Sequence, residues 1–294
     1  MFGVPLRLSA PRLFNSLTPP VLPACNSGMS SSLARREFLA STVLGSAAVL
    51  SGCATLGGSS KGVAAGCYEM RIYHIAPGKQ EALMNRFRNH TLKLFARHGI
   101  TSVGYWMPLD PADQRLHFLL SYPSREAREA SWKAFVADPD WQAAYKASEA
   151  NGALVSKAEN PFYVLTDWSP KPRTGNVSKG GVWEWRTYTA NTGRLGALDA
   201  RFRDHTMALF AKHGMNNYAY WHKMPDQSGA DVTLDYFLTH ASVDASKKSF
   251  AAFGQDPAWK AAREASEKGA GGSLTAPGGV KSLFLKATDF SPVQ

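Results

Sequence analysis

The sequence predicts an α+β chain built from two copies of one βαββαβ unit. Three observations predict it. Residues 86–106, RFRNHTLKLFARHGITSVGYW, return as residues 201–221, RFRDHTMALFAKHGMNNYAYW, with 12 of 21 positions identical. A self-match of that length at one offset marks an internal duplication. Alternating runs rich in strand formers flank the matched stretch in both copies. Long runs of helical period lead into it, each closed by a glycine in the usual C′ place, Gly99 and Gly214.

The chain begins with a segment that carries no such period. Residues 1–28 hold Pro5, Pro11, Pro19, Pro20 and Pro23 and read as a disordered upstream extension. Met29 is the alternative start, because MSSSLARREFLASTVLGSAAVLSGC has the parts of an export signal: a basic start, an apolar run and small residues before a cleavage point. Arg35 and Arg36, followed by Glu37, Phe38 and Leu39, resemble the twin-arginine export motif. The apolar run 38–50 is 13 residues long, short of the ~20 that span a bilayer. Leu50-Ser51-Gly52-Cys53 resembles a bacterial lipobox, which implies lipidation at Cys53 and, with Ala54 next, an outer-membrane anchor facing the periplasm. An ordinary cleavage site with an incidental Cys is the other reading. Residues 54–66, ATLGGSSKGVAAG, are a flexible tether.

The first repeat spans 67–170. Tyr68 to Tyr73 alternate as strand one, ended by Pro77-Gly78. A helix is expected over 79–98. Residues 100–107 and 115–122 form strands two and three. Ser124 caps a second helix that breaks near Asp138-Pro139 and resumes through Trp141, Tyr145 and Ser148. Residues 162–167 form strand four. Residues 171–181, KPRTGNVSKGG, are a linker, and the second repeat, 182–292, retraces the first with a lengthened turn near Gln227-Ser228-Gly229 and a glycine-rich insertion at 269–279.

Charge excludes little. The chain of 294 residues carries +10, of which +7 remains after residue 53. No run of five like charges occurs, so the basic excess reads as solvated faces and not as a nucleic-acid surface. Cys25, Cys53 and Cys67 are too few for a disulfide framework, and Cys67 is assigned no role.

Tyr68-Glu-Met-Arg-Ile-Tyr73, Phe95-Ala-Arg-His-Gly99 leading to Gly104-Tyr-Trp106, and Trp132, Phe135 and Asp138-Pro-Asp-Trp141 resemble the NIPSNAP family; all recur in the second copy, with Phe250 in place of Trp132. The resemblance covers roughly residues 67–292. It implies ferredoxin-like repeats of the dimeric α/β-barrel superfamily. With two in one chain, it implies a pseudo-dimeric barrel formed within the chain, its sheets packed face to face. A homo-oligomer is then not required.

Candidate chemistry sits on strand one. Alternation places Glu69, Arg71 and Tyr73 on one face, and Glu184, Arg186 and Tyr188 on its copy. If that face lines a barrel cavity, Arg holds an anion while Tyr or Glu moves a proton. The competing reading is a buried ion-pair network that fixes the register of the two sheets. Tyr105, Trp106, Tyr220 and Trp221 either stack on a flat ligand or pack in the core. His90 and His205, eight residues before His98 and His213, lack metal-pair spacing, and all four read as structural. No CxxC, HExxH, P-loop, GxGxxG or GxSxG motif occurs. No metal and no cofactor are expected, haem being a weaker third idea. Two functions stay open: an envelope module binding a small organic ligand or a protein partner, and a cofactor-independent enzyme. By analogy alone the latter would resemble a monooxygenase or isomerase acting on a quinol-like or lactone-like compound.

Overall fold

The computed structural model describes residues 66–294. The expectations for the upstream extension, the twin-arginine leader, Cys53 and most of the tether fall outside the described residues. Among the described residues, no helix is long and apolar enough to cross a membrane.

Strand β1 (Cys67–Ile75) leads into α1 (Gln80–Arg86), a π-helical turn (Phe87–Thr91) and α2 (Leu92–Arg97). Strands β2 (Thr101–Pro108) and β3 (Arg115–Tyr122) follow, then α3 (Arg125–Ala137) and α4 (Pro139–Ser148). Two short strands, β4 (Val155–Glu159) and β5 (Phe162–Leu165), finish the first repeat. The second repeat gives β6 (Val182–Ala190), α5 (Leu195–Arg201), a π-helical turn (Phe202–Thr206) and α6 (Met207–Lys212). It continues with β7 (Asn216–Lys223), β8 (Thr233–His240), α7 (Val243–Gln255), α8 (Pro257–Gly269) and β9 (Thr275–Ala287).

Local chemistry explains the breaks. Ser124 and Ser242 cap α3 and α7 by accepting from the Ala127 and Ala245 amides, each at 3.1 Å. Asp138 and Asp256 cap α4 and α8, with Pro139 and Pro257 in the first turn, where a missing N–H costs nothing. His98 and His213 end α2 and α6 and reach those caps, Nε2 to carboxylate 2.7 and 2.8 Å. Each histidine therefore staples two helices together. The π-helical turns were not expected. In each, a threonine hydroxyl, Thr91 or Thr206, donates to the carbonyl five residues back, Arg86 or Arg201.

The strands close a ring. Starting at β3, the order is β2, β9, β6, β8, β7, β5, β1 and back to β3, with every pairing antiparallel. Strand β4 continues β5 along the edge of β1. The result is a closed eight-strand antiparallel barrel. Two seams join the repeats: Trp106↔Ala287 on one side and Leu165↔Trp221 on the other. The expected face-to-face sheets are thus hydrogen-bonded to each other at both edges, which leaves no free sheet edge there.

Three cores result. One lies between sheet and helices of the first repeat, around Phe87, Phe95, Phe118 and Phe135. Its counterpart holds Phe202, Phe210, Tyr236 and Phe253. The third lies inside the barrel, around Trp106, Trp183, Trp221 and Phe237.

Candidate functional site

Alternation does put Glu69, Arg71 and Tyr73 on one face, but that face meets the helices and not the bore. Tyr73 packs in the first helix–sheet core, whereas Tyr68, Met70 and Ile72 belong to the bore. The expected polar lining of the barrel is therefore a pair of buried clusters beneath the helices. Both strand faces are covered in a closed barrel wrapped by helices, so burial alone does not separate them.

The carboxylates at the centre of the clusters are saturated, while Arg71 Nε and His240 Nδ1 stay buried without a protein partner. The Glu69 carboxylate, with no exposed surface, accepts four hydrogen bonds. Two come from Arg128 on α3 (2.7 and 2.9 Å), one from Arg71 (2.5 Å) and one from the Tyr122 hydroxyl (3.1 Å). Arg71 also donates to the Tyr73 hydroxyl (3.2 Å) and lies over the Trp132 ring. In the second repeat Glu184 also accepts four, from Arg186, His240 (2.8 Å), Ser246 (3.1 Å) and Ser282 (2.5 Å). Burial pushes both carboxyls upward. The guanidiniums of Arg128 and Arg71 outweigh this at Glu69 and hold it below the usual range; His240, Arg186 and Ser282 take Glu184 down to about 2. Neither carboxylate keeps a lone pair for a substrate proton. His240 stands where Tyr122 does, and Ser246 where Arg128 does. One buried carboxylate faces two arginines, and its copy faces one.

Tyr105 and Trp106 are neighbours in β2 and point to opposite sides, as do Tyr220 and Trp221 in β7. Tyr105 stacks on Phe118 (5.4 Å between centroids) and Tyr220 on Tyr236 (4.9 Å), both under the helices. Trp106 and Trp221 enter the bore. All four are fully buried, so no pair forms one stacking platform. Among the described residues, no three His, Cys, Asp or Glu side chains converge as a metal site. Cys67 is buried beside Met224, Sγ to Sδ 3.8 Å, and burial pushes its thiol up to about 11.

The bore has chemistry that the sequence reading passed over. Its aromatic floor runs from Trp183 through Trp106 (5.3 Å) to Phe237 (4.7 Å) and on to Trp185 (4.6 Å). Val177 from the linker and Val293 from the tail join this core. The linker enters β6 and the tail leaves β9 at the same end, so these two valines plug that end. A Cβ on Gly104 would lie 2.3 Å from Trp106 and 2.7 Å from Val293, so only glycine allows this fit.

Polar groups occupy the other half. His117 pairs with Ile72 across the sheet, and Asp235 with Thr187. Strands β1 and β6 run in the same direction around the ring, so His117 and Asp235 hold matching places in the two repeats. Asp235 is 1 % exposed, accepts from the Thr187 hydroxyl and lies near Tyr163. Burial raises its carboxyl to about 6 against that bond. Burial, with Arg115 nearby, lowers His117 to about 4. His117 Nε2 and the indole Nε1 atoms of Trp106, Trp183 and Trp221 are buried without a protein partner. The signal for this site was present in the sequence. The two copies differ on this face, where Ile72 and His117 become Thr187 and Asp235.

An eight-strand α/β barrel formed by two repeats of one chain, with an aromatic bore and a polar half, defines the class of protein. The NIPSNAP family profile matches residues 68–170 and 183–292, and the chain belongs to that family. Among solved structures it is similar to a NIPSNAP-like domain protein from Burkholderia xenovorans, 18 % identical over 37 % of this chain and 93 % of that one (TM-score 0.34). A NIPSNAP family protein from Agrobacterium tumefaciens is 24 % identical over 36 % and 97 % (TM-score 0.33). A structure described as a putative monooxygenase, from Lactobacillus acidophilus, is 10 % identical over 76 % and 94 % (TM-score 0.48). No curated protein matches the chain.

Proposed function

We propose that this NIPSNAP protein is a binding module for a small, flat organic ligand carrying hydrogen-bond acceptors, held in the bore. One observation carries the reading: three buried indole N–H groups, of Trp106, Trp183 and Trp221, have no protein partner. Buried donors are rarely left unmade, since each costs about 1–3 kcal/mol. Aromatic faces with a few convergent polar groups are what a small-molecule site offers. The saturated carboxylates of Glu69 and Glu184 argue against chemistry at the duplicated clusters and for a structural role there. Each repeat's strand order, 4-1-3-2 by position, supports the ferredoxin-like reading. The test is indole N–H NMR with a naphthoquinone as probe. Binding in the bore shifts the Trp106, Trp183 and Trp221 resonances together. Shifts confined to other tryptophans contradict it.

A second reading, a cofactor-independent enzyme, is favoured by Asp235 alone. A carboxyl held near 6 beside the Tyr163 hydroxyl has the affinity a general base needs. Turnover of a quinol-like substrate would rise with pH through about 6 and vanish in Asp235→Asn.

The leader supports a lipid-tethered, periplasmic protein exported by the twin-arginine route, on Arg35, Arg36 and Cys53. Mass spectrometry of the protein from its native envelope tests this: an acylated N-terminal Cys53 is expected, and an intact Met1 contradicts it.

A further inference from the structure

A second site lies outside the bore, on the helix layer of the second repeat, and stands whether or not the bore takes a ligand. A cavity of about 310 Å³ opens between α5 with its π-helical turn and α8. Ala197, Ala200, Ala262 and Ala265 form its walls, so the space comes from small side chains. Arg201 lines it and is only 5 % exposed. Its Nε and Nη1 have no hydrogen-bond partner. The nearest carboxylate oxygen, Glu267 Oε1, is 3.7 Å from Nη1 and is taken by Arg263 Nε at 3.3 Å. A ring face, Trp259, lies 5.2 Å from the guanidinium.

The first repeat supplies the control. Arg86 holds the same place and the same burial, yet its Nη1 bonds Glu149 at 3.0 Å and Ser148 at 3.2 Å, leaving Nε as its buried nitrogen without a partner. Three exchanges at the cavity separate the copies, and one of them, Asn89 to Asp204, adds a carboxylate to the rim that Arg203 engages. Tyr145 stands where Arg263 does, so nothing cationic competes for Glu149; Asn85 stands where Ala200 opens the wall. Duplication has left one buried arginine neutralised and its copy short of negative charge.

We propose that this cavity binds a small monocarboxylate with an apolar body, its carboxylate on Arg201 and its body against the alanines. A planar carboxylate matches the guanidinium fork. The alanine walls suit hydrocarbon. Asp204 also borders the cavity and Glu267 lies beside it, which disfavours a doubly charged anion such as phosphate. Asp204 is itself engaged by Arg203 at 2.7 Å. Exposed His205 and half-buried Ser266 complete the rim. Burial and the neighbouring Arg263 lower the affinity of Arg201 for its proton, as expected of an under-compensated cation.

The probe is benzoate, with inorganic phosphate as the comparison, read by the Nε–H resonance of Arg201 in the intact protein. Benzoate is expected to shift that resonance saturably, with the Arg86 resonance unmoved. Arg263→Tyr copies the first repeat and frees Glu267 to pair with Arg201. Since Arg263 is exposed, this variant is expected to fold with unchanged or higher thermal stability and to bind benzoate about tenfold more weakly, some 1.4 kcal/mol. Ala200→Asn, which closes the wall as in the first repeat, is expected to weaken it as well. An unmoved Arg201 resonance, equal shifts at Arg86, tighter binding of phosphate, or full affinity in Arg263→Tyr would each overturn the proposal. Naphthoquinone shifts at the bore indoles do not touch Arg201, so the two sites fail separately.

Discussion

At the residue scale, two buried carboxylates behave in opposite ways. Asp235 is raised to about 6, so the fold prefers its protonated form. The stability it contributes is complete below the unfolded value near 3.8 and is lost as pH rises through about 6. Asp235→Asn keeps the shape without the charge. Its unfolding free energy is expected to exceed the native one at pH 8, by on the order of 3 kcal/mol, and to converge with it near pH 4. Glu69 is the reverse case. Removing it strands Arg71 and Arg128, at about 3–5 kcal/mol. Glu184→Ala strands one arginine where Glu69→Ala strands two, so denaturant melts should show the smaller loss there. The grouping of Glu69, Arg71 and Tyr73 was legible, because a strand alternates with period two. Which side of the sheet they take was not, because both sides are buried and the polar residues compensate one another under the helices.

At the element scale, capping and breaking are where sequence and structure agree in detail. Ser124, Asp138-Pro139 and Gly99 mark their elements, and the copies repeat them. Asp138 is brought down to about 2, first by His98, and Asp256 is lowered by Lys212 and then His213. A depressed carboxyl contributes stability that is present above the usual carboxylate range and lost as pH falls through its folded value. Acid unfolding between about pH 4 and 2 is therefore expected to be blunted in Asp138→Asn and Asp256→Asn, both of which start from lower stability at pH 7. The strand before Phe162 was missed because Pro161, with no N–H to donate, separates β4, which pairs with β1 alone, from β5, which is paired on both sides. In the second copy Leu283 fills that place, and β9 runs unbroken through 13 residues, absorbing the end of the glycine-rich stretch. The π-helical turns left no mark in the hydrophobic pattern; only the repeated Arg-Phe-Arg-x-His-Thr signals them. Thr91→Val and Thr206→Val each remove a hydroxyl bond to a carbonyl and should cost about 1 kcal/mol by thermal melt.

At the scale of the whole molecule, the duplication reads directly as a barrel that needs no second chain. Each four-strand wall buries one face under its own helices and the other against the opposite wall. Residues 67–170 alone would expose the bore face, with Met70, Trp106 and Leu119 uncovered. That half is expected to self-associate or aggregate when expressed singly and to form a one-to-one complex with residues 171–294 when the two are made together. Mass photometry or sedimentation reads the difference. The partition of polar groups between bore and helix layer follows from which face each strand turns inward, and only the closed ring decides that.

The most direct test of closure within one chain is hydrogen exchange at the seams. The amides of Leu109, Thr166 and Met224 donate across them, to Phe284, Tyr220 and Phe162 at 3.0, 3.0 and 2.8 Å. They are expected to exchange as slowly as the centre of β1, through global unfolding, at a rate independent of protein concentration. Fast exchange at these three amides beside protected strand centres, or protection that grows with concentration, would contradict it.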